Sequence, residues 1–347
     1  MTLFVQNWPM PLHVVLAVLP QMDATSVAVT LQALDTANRL AETALELPRP
    51  FQVSVGSVDG KPVSCAPGPF VLPTVRLSRL RPSLVVVPGT GAATEAKVVR
   101  MLGSRAASDL CAWLERHSRR TLAASCTGVF LLAKAGLLDD VSATTTWWLT
   151  STFARLFPRV RVDRVAMVVE ERGRCTAGAS LAQLDLMLHL IAREAGPALA
   201  ALVARYLVVD ERPSQARYVV PSYLARSSTE VTAAERWIRR NLGEPFGIPE
   251  LARGIGTSPR TLSRRIVAAT GSGPLAFVRR LRVDAARHLL TTTALSVDEI
   301  ASRVGYEDPT SLRRAFARQG ERPSDSRKRS SLRPGRRSAR GTTRRDA

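Results

Sequence analysis

Two stretches in the last third of the chain repeat each other, and this repeat limits the fold more than any other feature. The first is IPELARGIGTSPRTLSRRIVAATG, Ile248 to Gly271; the second is VDEIASRVGYEDPTSLRRAFARQG, Val297 to Gly320. Glu250, Leu251, Ala252 and Gly256 align with Glu299, Ile300, Ala301 and Gly305. After one inserted residue, Pro259, Leu262 and Arg264 align with Pro309, Leu312 and Arg314. The leucine and isoleucine pairs have the spacing of core contacts, and the paired alanines suit a close crossing of two helices. The paired glycines end a helix where left-handed backbone costs least without a Cβ. Thr257-Ser258 and Asp308 can cap the helix that follows, with proline in its first turn. Each stretch reads as a helix-turn-helix, and together they predict an all-α domain with two such motifs.

Charge points the same way. The formal net charge is +20, and residues 230–347 hold 25 basic against 12 acidic side chains, a net of +13. An Arg-rich composition explains the choice of arginine, since lysine occurs only four times, but not this gradient along the chain. Excess positive charge beside a repeated helix-turn-helix implies double-stranded DNA as the partner. With Leu262 and Ile266 turned inward, the first recognition helix presents Arg260, Ser263 and Arg264. With Leu312 and Phe316 inward, the second presents Thr310, Ser311, Arg313 and Arg314. Arginine can bind guanine O6 and N7 in bidentate fashion, and Ser or Thr can serve bases or phosphates. The amphipathic stretch Pro274 to Leu290 between the motifs predicts one helix about 25 Å long. A spacer of that kind would set the two recognition helices roughly 34 Å apart, one duplex turn. Arg279, Arg280 and Arg282 on it are expected to meet phosphates or solvent.

The first two hundred residues alternate short apolar runs with amphipathic stretches. Strands are expected at Leu12 to Leu19, Phe51 to Val58, Leu84 to Val87 and Thr121 to Ser125, with a strand pair at 160–169 and 174–176. Helices are expected at about 24–45, 94–117, 127–135 and 181–194. Such alternation predicts an α/β domain of flavodoxin-like form, a parallel sheet with helices on both faces. The domains are then 10–206 (α/β), 207–228 (linker), 229–327 (DNA-binding) and a disordered basic tail at 328–347. No basic n-region precedes the apolar N-terminal run, and no apolar run is long enough to span a bilayer, so a cytoplasmic protein without membrane contact is expected. Cys65, Cys111, Cys126 and Cys175 lack C-x-x-C spacing and read as reduced thiols; no metal or cofactor is expected.

The second motif resembles the signature of the AraC-type transcriptional regulators, and SPRTLSRRI resembles their first recognition helix. The stretch TLAASCTG, Thr121 to Gly128, reads as a strand, a sharp turn and a helix, with Cys126 at the turn. It resembles the nucleophile elbow of the class I glutamine-amidotransferase-like superfamily, which includes PfpI-type proteases. The longer run from Ser125 to Val162, followed by TAGASLAQLDLMLHLI, is similar to the sensor domain of GlxA-type regulators. That resemblance implies a ligand pocket at the carboxyl ends of the strands, bordered by Asp23, Gly89, Cys126, Thr127, Thr146 and Trp147. It also implies a homodimer and a small-molecule effector. Hydrolase members place histidine directly after the cysteine, where this chain has Thr127. None of His13, His117, His189 and His288 is obviously beside the elbow, so no catalytic residues and no enzymatic activity are expected. The expected function is a sequence-specific transcription regulator. The alternative is a cysteine-dependent hydrolase or amidase with a DNA-binding appendage.

Overall fold

In the computed structural model, residues 10–210, 212–220, 223–224, 228–318 and 322–323 are described. The Arg- and Ser-rich tail at 328–347 lies outside them. The chain separates into two compact units, Met1–Val219 and Val220–Ala347, with the division inside the 207–228 stretch.

The first unit is built on a seven-stranded sheet. Its strands in chain order are β1 (Leu12–Ala17), β2 (Phe51–Ser57), β3 (Val75–Arg76), β4 (Leu84–Val87), β5 (Thr121–Ser125), β6 (Val168–Glu171) and β7 (Arg174–Ala177). Across the sheet they run β6-β7-β5-β4-β1-β2-β3. Pairs from β7 through β3 are parallel, whereas β6 is an antiparallel edge strand. The expected parallel sheet is present, with one antiparallel edge that forms because Arg172 and Gly173 both take positive φ, 52° and 72°. Two left-handed residues in succession make the tight hairpin turn that matches strand twist, and it folds β6 back on β7. Strand β4 (LVVV) is buried along its whole length, as a central strand covered on both faces must be.

The helices of this unit are α1 (Ala24–Leu45), α2 (Glu95–Leu102), α3 (Arg105–Arg116), α4 (Val129–Lys134), α5 (Thr150–Leu156), α6 (Ala182–Ala195) and α7 (Pro197–Tyr206). The single helix expected over 94–117 is two. Gly103 closes α2, and the Ser104 side chain accepts from the Ala107 N–H to start α3. A side-chain cap satisfies one of the orphan donors of a new helix, which favours a break there.

The second unit contains α8 (Thr229–Arg240), α9 (Ile248–Gly254), α10 (Pro259–Thr270), α11 (Pro274–Thr292), α12 (Val297–Arg303) and α13 (Pro309–Ala317). It has two hydrophobic cores that share one helix. Phe277, Val278 and Leu281 of α11 pack with Leu251, Ala252, Leu262 and Ile266 of the first motif. One to two turns later Val283, Ala286 and Leu290 pack with Ile300, Ala301, Leu312 and Phe316 of the second. Helix α11 is therefore the spine of both motifs.

Candidate functional site

Each motif is built as its residues require. Gly256 and Gly305 take φ of 72° and 79°, the left-handed turn between the two helices of each motif. The Ser258 side chain accepts from the Thr261 N–H to cap α10, and the Asp308 side chain accepts from the Ser311 N–H to cap α13. Each cap satisfies one of the otherwise unpaired N–H groups at the start of its helix. Leu262, Ile266, Leu312 and Phe316 are buried. With those side chains inward, Arg260, Arg264, Thr310, Arg313 and Arg314 are exposed, and Ser263 and Ser311 are half-buried. The two recognition helices thus leave five arginines exposed, Arg265 among them and paired with Glu230.

Arg282 does not join them. It is turned inward, donating from Nη1 to the Gly305 carbonyl at 2.6 Å, with its guanidinium 5.2 Å from the Phe246 ring. Burial moves its pKa below the usual arginine value, and Tyr306 opposes that shift. A side chain expected at phosphate or solvent instead ties α11 to the turn of the second motif.

In the first unit, Cys126 sits at the end of β5 with φ 51°, a left-handed conformation uncommon for a residue with a Cβ. The strain follows from the packing around it. A Cβ on Gly128 would collide with the carbonyl oxygens of Val87 and Pro88, so the chain can pass there only as glycine. Strand β5 and the strand β4 loop are thereby brought together at the elbow. The Thr127 hydroxyl donates to Thr90 O and accepts from Thr90 N–H, both at 2.9 Å. Gly89 lies against Cys126, and its carbonyl accepts from the Asp23 N–H at 2.9 Å. The Asp23 carboxylate is engaged by the Thr25 N–H and the Ser26 hydroxyl, as the N-cap of α1. Thr146 is buried and Trp147 half-buried, the latter edge-on to Trp148 at 5.2 Å. Burial pushes the Cys126 thiol up, against the N–H groups of Ser180 and Thr127 and the hydroxyls of Thr127 and Thr146, which favour the thiolate. A cavity of about 480 Å³ opens beside this elbow, bordered by Leu19, Gln21, Thr90, Gly91 and Met101.

The 207–228 stretch supplies one residue to the elbow's surroundings. Gln215 is buried and donates from Nε2 to Thr144 Oγ1 and to the Thr145 carbonyl, at 2.9 and 3.1 Å. The Thr145 hydroxyl in turn donates to the Cys126 carbonyl at 2.7 Å. Arg212, three residues earlier, is paired with the nearly buried Asp185 of α6.

A second thiol overturns the expectation that the chain is not an enzyme. That expectation rested on the lack of a base beside a cysteine. Glu170 and Cys175 are partners across the β6–β7 hairpin, and His189 reaches them from α6. Their donor atoms all lie within 4.8 Å of one another. Thiol, imidazole and carboxylate are the components of a cysteine-hydrolase triad. His189 Nε2 is 2.5 Å from Glu170 Oε2, and Arg193 Nη1 donates to Glu170 Oε1 at 2.7 Å. These two partners hold the Glu170 carboxyl below its usual range, although burial alone would raise it. The Cys175 thiol is pushed up to about 12 by burial and then by the Glu170 carboxylate, with Arg193 working the other way. A cavity of about 520 Å³ borders His189, lined also by Met167, Asp185, Leu188 and Arg212. This cluster was missed because its members are spread over three elements. The hairpin turn Arg172-Gly173 was the available signal, since it sets Glu170 opposite Cys175.

A repeated helix-turn-helix on a shared helix, joined to an elbow-bearing α/β unit, defines a DNA-binding regulator of two parts. Residues 251–329 match the helix-turn-helix domain family. The transcriptional regulator GbdR of Pseudomonas aeruginosa is 28% identical over 286 residues, covering 81% of this chain and 74% of that protein. The regulator CdhR of the same species is 33% identical over 224 residues, 63% of this chain and 66% of that protein. A ThiJ/PfpI family protein from Pseudomonas syringae is 20% identical, with a TM-score of 0.48 over 60% of this chain and 78% of that one. Residues 251–329 thus carry a domain of the helix-turn-helix family, and over most of its length the chain is similar to helix-turn-helix transcriptional regulators. Among the described residues no helix is long and apolar enough to cross a membrane.

Proposed function

We propose that this chain is a sequence-specific transcription regulator in which one C-terminal unit reads two successive major-groove segments. The observation that carries the reading is the pair of capped helices, α10 and α13, whose inner faces pack on α11 and whose outer faces present Arg260, Arg264, Arg313 and Arg314. Arginine on a helix of that kind binds guanine edges, and Ser263, Thr310 and Ser311 beside them suit bases or phosphates. The net +13 of residues 230–347 supplies the nonspecific attraction to phosphate. The double variant Arg264→Ala/Arg314→Ala tests it. It keeps its helical circular dichroism and its salt-dependent affinity for random duplexes, but loses preference for any selected site. A double variant with unchanged sequence preference contradicts the reading.

Control by a small molecule or by self-association enters through the first unit in this reading. Its support is the path from the Cys126 carbonyl through Thr145 to Gln215, the residue that anchors the chain just before the division at Val219. The domain limits 10–206, 207–228 and 229–327 are the working description of this arrangement.

The Cys175–His189–Glu170 cluster favours a second reading of the first unit, as a cysteine-dependent hydrolase or amidase. His189 would serve as base, with Glu170 orienting it and the adjoining cavity admitting a small amide. Turnover of small amides that disappears in Cys175→Ser, with DNA binding intact, is the expected result. Equal turnover in both forms removes this reading and leaves the first one standing.

A further inference from the structure

The same cluster has a chemistry that neither reading uses. On antiparallel strands, residues directly opposite share a face, so the hairpin turn puts Glu170 and Cys175 side by side. The face they share is covered by α6, and His189 lies on the turn of α6 above them. Cys175 is completely buried, whereas the side chains of His189 and Glu170 are 38% and 30% exposed. The cluster therefore has a closed sulfur floor and an open mouth.

A positive charge already occupies it. Arg193 Nη1 stands 2.7 Å from Glu170 Oε1 and 3.5 Å from Cys175 Sγ, between carboxylate and sulfur. The same guanidinium also holds Glu194 Oε1 and, at 2.6 Å, the Thr121 hydroxyl, so it keeps partners if its contact with the sulfur is lost.

We propose that Glu170, Cys175 and His189 are a binding site for a divalent cation of zinc-like preference, with the fourth position open toward the mouth. Sulfur together with imidazole selects this class over magnesium or calcium, which take oxygen donors. Three protein ligands of S, N and O type with one vacancy form a zinc pattern, with bonds of about 2.0–2.3 Å. Binding exchanges the thiol proton for the metal: the S–H bond breaks, an S–metal bond forms, and the proton leaves to solvent. Thiolate and carboxylate then balance the two charges of the ion, and Arg193 withdraws onto Glu194 and Thr121. The inference stands apart from DNA recognition and competes with the hydrolytic reading for one sulfur, because a metal-bound thiolate is not a free nucleophile.

The test titrates cobalt(II) alone into full-length protein that has been reduced and stripped with chelator, without oxygen. One equivalent should give a sulfur-to-cobalt charge-transfer band, bleached by zinc. Cys175→Ser should abolish the band, and Cys65→Ser and Cys111→Ser should keep it. His189→Ala should weaken apparent affinity by more than about tenfold, since even outer-shell partners cost that much. Arg193→Gln, freed of the competing cation, should bind more tightly than wild type and serves as a gain-of-binding check that misfolding cannot mimic. No band in the wild-type protein, or a band that persists in Cys175→Ser, overturns the proposal. Amide turnover lost in Cys175→Ser while the wild type shows no band assigns the cluster to hydrolysis instead.

Discussion

The two helix-turn-helix motifs descend from one pattern, yet they are fastened differently. The first closes its opening helix with Gly247, whose N–H is taken by Glu250 Oε2 at 2.7 Å, and no side chain caps from the other direction. The second has the full reciprocal box, Ser296 N–H to Glu299 Oε2 at 2.7 Å and Glu299 N–H to Ser296 Oγ at 3.2 Å. Its core is differently furnished. Trp237 and Phe246, edge to face at 4.9 Å, pack against the first core, whereas the second is pinned at its turn by Arg282. The first motif is stabilised chiefly by apolar burial, the second more by polar contacts at helix ends and turn. That contrast makes the second motif the more sensitive to pH and to loss of single hydrogen bonds.

The largest effects should come from the shared core positions. Leu262→Ala and Leu312→Ala each remove a fully buried side chain and should cost about 2–5 kcal/mol in urea denaturation of the full chain. Because α11 serves both cores, loss in one motif should lower the other's protection against amide exchange as well. Independent protection would break the picture of α11 as a common spine.

Specific DNA binding comes next. Arg264→Ala and Arg314→Ala should each weaken binding to a selected site by roughly 1–3 kcal/mol at fixed salt. Anisotropy titrations would show it, and equal affinities would count against these residues as base readers.

Arg282→Met sharpens the comparison. It leaves the Gly305 carbonyl without its 2.6 Å donor and should destabilise the second motif by about 1–3 kcal/mol, with a smaller loss of exchange protection in α10, which shares the α11 spine. Equal loss in both motifs would show that Arg282 supports the whole unit instead.

The smallest effect concerns acid. Asp308 is held below its ordinary pKa by the Ser311 hydroxyl and N–H, and Glu299 by the Ser296 N–H and hydroxyl. A depressed folded-state pKa means stabilisation present above the unfolded carboxylate range and lost as pH falls through the folded value. Acidification below about pH 4 should therefore loosen α12 and α13 first. Asp308→Asn keeps a capping oxygen but removes the charge, so its melting should depend less on pH there. An unchanged pH dependence in this variant would remove Asp308 as the source.

Much of this was legible in the chain itself. The 22-residue α1 and the capped α10 and α13 follow from local signals: Asp23, Ser258 and Asp308 before apolar periodicity. The two recognition faces follow from period alone, since Leu262 and Ile266 fix which side of α10 is inward. What was not legible depends on pairing across distance. The antiparallel edge hinges on two left-handed residues, Arg172 and Gly173, and only that register sets Glu170 beside Cys175. The approach of His189 needs α6 docked on that face. Gln215 sits in a stretch with the composition of a linker, and nothing local distinguishes a buried glutamine from a solvated one. Arg282 reads as one more basic residue on an amphipathic helix until the Gly305 carbonyl appears opposite it.

The most direct measurement is a selection of duplexes from a random pool by the wild-type chain, Arg264→Ala and Arg314→Ala, followed by footprinting of the recovered sites. Two helices on one spine predict bipartite sites with elements about one turn apart, roughly 10 base pairs. Each variant should lose its own element and keep the other. Recovery of no enriched sequence, or loss of the same base positions in both variants, would contradict a unit that touches the duplex twice.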